Sequence, residues 1–177
     1  MKTASRAILL TAAALGVATL VLAQAKKRAS PHETVSATIG GQAISIEYGR
    51  PYMKGRKIMG GLVPFGEVWR TGADEATTLT TAADLMIGGA HVPAGTYSLF
   101  TLPTEKGWTL IVNKTAKQWG AFKYDQAQDL GRTPMKVANL DTPVEQFTIA
   151  LEPAGGSNGV IKMSWENTEA SVGIMVH

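Results

Sequence analysis

Thr34-Val35-Ser36-Ala37-Thr38-Ile39-Gly40-Gly41-Gln42-Ala43-Ile44-Ser45-Ile46-Glu47-Tyr48 is the stretch that decides the fold. Val35, Ala37 and Ile39 alternate with Ser36 and Thr38, and Ile44, Ile46 and Tyr48 alternate with Ser45 and Glu47. A period of two places one set on each face of a strand, so both runs read as strands with one buried face. Gly40-Gly41 sits between them, where a tight hairpin turn needs positive φ. The stretch predicts a β-hairpin.

Working outward, the same signals recur. Strands are expected at residues 77–81, 84–87 and 97–102, punctuated by Gly88-Gly89 and Pro93-Ala94-Gly95. Residues 108–112 are apolar on both faces except Thr109, which suits a central strand. Phe147, Ile149 and Leu151 alternate with polar neighbours, as do Ile161, Met163 and Trp165, and then Val172, Ile174 and Val176. Only residues 115–129 read as helical, on a capping-box pattern of Thr115 with Gln118 and on the spacing of Trp119 and Phe122. The expected class is all-β, an antiparallel sandwich or jelly-roll-like domain with one short helix.

Composition bounds the chemistry. The chain has 177 residues and no cysteine, which removes disulfides, thiolate metal sites, iron–sulfur clusters and a catalytic thiol. Lys2 and Arg6, a charge-free run over residues 7–22 and Ala23-Gln24-Ala25 form the pattern of a cleaved secretory signal. Sixteen residues rise about 24 Å as a helix, short of a hydrocarbon core of roughly 30 Å. Export to the periplasm or medium is therefore expected, with no membrane span after cleavage. Lys26-Lys27-Arg28 just after the run opposes translocation and keeps an uncleaved anchor as the alternative. Residues 26–33 are expected to be a loose basic leader, and residues 34–177 a single domain. Without Lys2 and Arg6 the 17 basic residues become 15 against 14 acidic ones, so no nucleic-acid partner is expected.

Motifs that mimic active sites carry little. Gly155-Gly156-Ser157-Asn158-Gly159 has the spacing of a nucleophile elbow, and Glu166 or Glu169 and His177 follow in the expected order. An elbow needs a helix after the serine, whereas a strand follows here, so a hairpin loop is the better reading. His32, His91 and His177 show no local metal-binding spacing, and no phosphate-cradling or dinucleotide glycine loop is present. No metal or cofactor is expected. Asn113-Lys114-Thr115 is a formal glycosylation acceptor.

What remains is residues 50–77, where Arg50, Arg56 and Arg70 recur among glycines and the aromatics Tyr52, Phe65 and Trp69. Arginine grips a carboxylate or phosphate with two hydrogen bonds, and aromatic faces bind sugars and cations. The candidate ligand-binding residues are Arg50, Arg56, Trp69, Arg70 and Glu75. The structural alternative is that the arginines pair with Asp74, Glu75 and backbone carbonyls to pin a long connection. As adjacent residues, Asp74 and Glu75 would face opposite ways on a strand, which counts against a paired-carboxylate hydrolase. The expected function is a cell-envelope binding module for a small anionic or sugar ligand. An interaction domain without a small ligand and a hydrolase using Asp74 or Glu75 are the alternatives.

Arg50-Pro51, Lys54-Gly55-Arg56, Leu62-Val63-Pro64-Phe65-Gly66, Trp69-Arg70-Thr71-Gly72 and Glu75-Ala76-Thr77 together resemble the signature of an exported bacterial family known as domain of unknown function 2911. Pro93 to Phe100, Trp108, Asn113-Lys114 and Gln118-Trp119-Gly120 resemble it too, so the likeness covers roughly residues 30–176. It implies the fold and export, and no activity. Two positions depart from the family pattern: Asp74 stands where asparagine is frequent, and Gly49 where serine is usual.

Overall fold

The computed structural model describes residues 28–177. The expected signal at residues 1–25 lies outside the described residues, and no helix among the latter is long and apolar enough to cross a membrane. The strands are β1 (His32–Ile39), β2 (Gln42–Gly49), β3 (Thr77–Thr81), β4 (Leu85–Ile87), β5 (Ala90–Val92), β6 (Gly95–Thr104), β7 (Gly107–Asn113), β8 (Asp129–Pro153) and β9 (Asn158–Val176). All pairings between these strands are antiparallel, in the order β1-β2-β3-β6-β7-β8-β9-β4-β5.

The opening hairpin forms as read. Val35 lies opposite Ile46 and Ile39 opposite Gln42, with Gly40 and Gly41 at φ +58° and +78° in the turn. β8 makes the sandwich. Its first residues pair with β7, and from Lys136 onward it pairs with β9, so one strand passes from the first sheet to the second. The inner faces then meet. Tyr48 of β2 sets its ring edge-on to Phe147 of β8, 5.8 Å between centroids, and accepts the amide hydrogen of Ile149 on its hydroxyl oxygen at 2.9 Å.

The alternating residues of the last third all point inward: Phe147, Ile149, Ile161, Met163 and Trp165 are essentially inaccessible. β7 is central, as its two-faced apolarity predicts. Trp108, Leu110 and Val112 join the main core, while Ile111 packs with Phe100 and Ala76 in a second cluster on the opposite face.

The expected helix over residues 115–129 does not form; the segment is irregular apart from a three-residue 3-10 turn at Gln126–Gln128. The cause is Asn113, which is fully buried. Its side-chain oxygen accepts from the Thr115 N–H at 3.0 Å and from Gln118 Nε2 at 3.3 Å, and its amide donates to the Asp125 carbonyl and to Asp129. The loop wraps this amide, Lys117 and Gly120 adopt positive φ, and no helical ladder can run through it. Asn113 is accordingly no glycosylation acceptor in the folded domain. Residues 154–157 are an ordinary turn between β8 and β9, so Ser157 sits on no strained elbow.

Candidate functional site

Residues 50–76 are held at many points along the sheet margins. Met53 N–H donates to the Glu145 carbonyl and Phe147 N–H to the Pro51 carbonyl, so residues 51–53 run beside β8. Trp69 and Thr101 exchange both backbone hydrogen bonds. Glu166 takes the amide hydrogens of Ile58 and Met59 on its carboxylate, at 3.3 and 3.1 Å. Residues 74–76 then lie beside 118–120, Ala76 N–H donating to the Gln118 carbonyl and Gly120 N–H to that of Asp74.

The three arginines separate. Arg50 is a clamp: it ion-pairs with Glu33 at 2.6 Å and donates to the Phe147 carbonyl at 3.2 Å and to Thr148 Oγ1 at 2.9 Å. It ties β1 to β8 from the end of β2. Arg50→Lys cannot hold these partners at once, so thermal melting should show a loss of about 1–2 kcal/mol, several degrees for a chain of this size. An unchanged midpoint would refute the clamp. Arg56 closes its own turn, donating to the Met53 carbonyl at 2.8 Å and the Tyr52 carbonyl at 2.6 Å.

Arg70 is different. It forms no salt bridge or hydrogen bond through its side chain with any described residue, and its Nε is buried without an acceptor. Burial pulls its pKa below the ordinary guanidinium value, only partly offset by the charge of Asp74. It opens on a cavity of about 340 Å³ that Lys54, Arg56, Tyr52, Trp69 and Asp74 also line. Trp69 contributes from the core side: it stacks on Trp165 at 6.0 Å and donates its indole N–H to the Gly72 carbonyl at 3.2 Å. Arg50 and Glu75 do not line this cavity.

Asp74 and Glu75 converge where strand alternation would part them. Asp74 has φ +61°, which breaks the alternation, and His32 Nε2 lies 3.4 Å from a carboxylate oxygen of each. Ala29 and Ser30 direct their amide hydrogens to the Asp74 carboxylate at 3.5 and 3.3 Å. Arg28 pairs with Glu75 at 2.9 Å. Burial works to raise the Glu75 pKa, but the hydrogen bond and charge of Arg28, with the charge of His32, outweigh it and hold the carboxyl below its ordinary range. Residues 28–31 thus lie on the acidic pair, and β1 begins at His32. Glu75 faces a second cavity, of about 370 Å³, together with Arg28, His32, Glu47 and Lys117.

Strain marks the same place. Of the five non-glycine residues at positive φ among the described residues, Lys54 and Asp74 line the Arg70 cavity, Thr71 adjoins it, and Lys117 lines the second one. Such conformations persist where surrounding structure enforces them, and they concentrate at functional sites. Elsewhere, the rings of His91 and His177 come within 6.5 Å, with Asp84 3.3 Å from His91. No group of three or more histidine, aspartate or glutamate side chains among the described residues is placed to hold a metal ion.

Of the residues nominated from sequence, Arg56, Trp69 and Arg70 line the Arg70 cavity, while Lys54 as a wall and His32 as the link between the carboxylates were missed. Lys54-Gly55, a turn pair beside arginines, was a usable signal for the first; nothing local marks the second. No curated protein and no solved structure matches the chain. One family model does match, over residues 30–174, a span that takes in every strand but the final residues of β9 and all of both cavities except Arg28 and Ala29. With the Arg70 loop and the sandwich both inside that span, the chain belongs to the family described as protein of unknown function (DUF2911).

Proposed function

We propose that the chain is an exported binding module that holds a small anionic ligand in the cavity around Arg70. The observation that carries this reading is a guanidinium whose buried Nε has no acceptor among the described residues, set in the wall of a cavity of small-ligand size. A buried charge without a partner is costly, and a bound carboxylate or phosphate supplies the missing acceptors in the two-pronged geometry arginine favours. Lys54 and Arg56 add positive charge at the same wall, and Asp74 is its one carboxylate. The hydrolase reading is weaker, because Asp74 and Glu75 line different cavities and each carboxylate is already held by His32 and by the 28–30 segment.

Titration calorimetry of the mature protein with acetate, phosphate and sulfate tests the proposal, with glycerol as the neutral control. Saturable binding of at least one anion, weakened by added salt, is the expected result. The proposal fails if no anion gives heat of binding or raises the melting temperature.

A further inference from the structure

The carboxylate that lines the cavity beside the cations narrows the ligand class further, given the Arg70 reading. Asp74 is an oddity in an anion site: a carboxylate with a side chain 11% exposed, in electrostatic contact with Arg70 yet not paired with it. Among the described residues its donors are the amides of Ala29 and Ser30 and His32 Nε2, all between 3.3 and 3.5 Å. An ionised carboxylate has about four acceptor positions. Three are used, each at the long end of the hydrogen-bond range. One is left, on a residue that lines the cavity.

A bare anion gains nothing from such a neighbour and is repelled by it. A ligand with a hydroxyl beside its acidic group gains a charge-assisted hydrogen bond there, because the hydroxyl donates to Asp74 while the acid binds Arg70. Tyr52 adds a third contact, an aromatic ring 39% exposed at the cavity wall, against which the apolar C–H face of a ring-shaped ligand can lie. We infer that the Arg70 cavity is a site for a hydroxylated carboxylate of the sugar-acid class, with Arg70 holding the acid, Asp74 a hydroxyl and Tyr52 the ring face. Asp74 sets the specificity and Arg70 the affinity. Strong discrimination of this kind comes from a site group that a deoxygenated competitor leaves unpaired.

The test compares D-galacturonate, acetate and D-galactose on the mature protein by calorimetry. Galacturonate should bind at least about tenfold more tightly than acetate, the gain from one hydrogen bond to a charged group. Galactose, lacking the acid, should bind more weakly than galacturonate by a similar factor or more. Asp74→Asn should reduce the preference for galacturonate, because a neutral amide oxygen accepts a weaker hydrogen bond than a carboxylate, while leaving acetate binding equal or stronger; asparagine tolerates the left-handed backbone at this position, so the loop keeps its path. Tyr52→Ala, at an exposed residue, should weaken galacturonate and spare acetate even if Asp74→Asn proves unstable. Equal affinities for galacturonate and acetate would overturn the inference and leave the anion site standing. Absence of binding by either anion would overturn the anion site itself.

Discussion

Arg70→Met should weaken anion binding at least about 30-fold, while the melting temperature stays constant or rises. The fold-change follows from the roughly 2–5 kcal/mol lost when one member of a desolvated charge pair is truncated. The thermal result follows from the free protein, in which Arg70 spends its charge on no described partner and leaves Nε buried and unpaired. Replacing a poorly compensated buried charge by an apolar side chain of similar length is often neutral or stabilising. Arg70→Lys keeps the charge but loses the fork, so it should bind less tightly than the parent and more tightly than Arg70→Met. A fall of several degrees in Arg70→Met would mean that the guanidinium holds the loop together, as Arg50 does, and would remove the basis for a ligand site.

Gly49→Ala should cost about 3 kcal/mol or more and lower the midpoint by roughly 6–12 °C. A Cβ on Gly49 would stand 2.2 Å from the Ala73 carbonyl oxygen and 2.9 Å from its carbon. Its neighbour there is backbone, which no rotamer change can move aside, so the 72–74 loop itself must shift. Because Gly72, Ala73 and Asp74 line the Arg70 cavity, ligand binding should fall along with stability. Gly173→Ala is the control: its Cβ meets nothing within 4 Å, and the substitution should be near neutral. A Gly49→Ala variant that melts with the parent would show that the loop yields freely.

The strands were legible because each records its environment locally. Ile44-Ser45-Ile46-Glu47-Tyr48 alternates since one face of β2 meets the core and the other does not, and 108–112 loses its alternation since β7 is covered on both sides. The false helix arose from the same locality: Thr115 and Gln118 have cap spacing, but both answer to a buried Asn113 whose burial no short window reveals. The arginines could be nominated from sequence and not sorted. Arg50 is a clamp because Phe147 and Thr148 come beside it, 97 and 98 residues further along the chain, and Arg70 lacks such partners among the described residues because the fold places none of them there. The convergence of Asp74 and Glu75 on His32 depends on a single left-handed residue, which side-chain identity did not announce.

β8, with residues in both sheets, also governs how the domain comes together. It pairs with β7 in one sheet and β9 in the other, so the two sheets are joined through one continuous strand and opening either disturbs the strand they share. A chain emerging N-terminus first can close the β1–β2 and β6–β7 hairpins, whose contacts are local, but their apolar faces stay uncovered until residues from 129 onward arrive. The nucleus must therefore join residues near Tyr48 to residues near Phe147, a closure across most of the domain, and such long-range β pairing makes for slow folding. The 50–76 loop, anchored at Met53 to β8 and at Trp69 to β6, can take its final shape only after that closure.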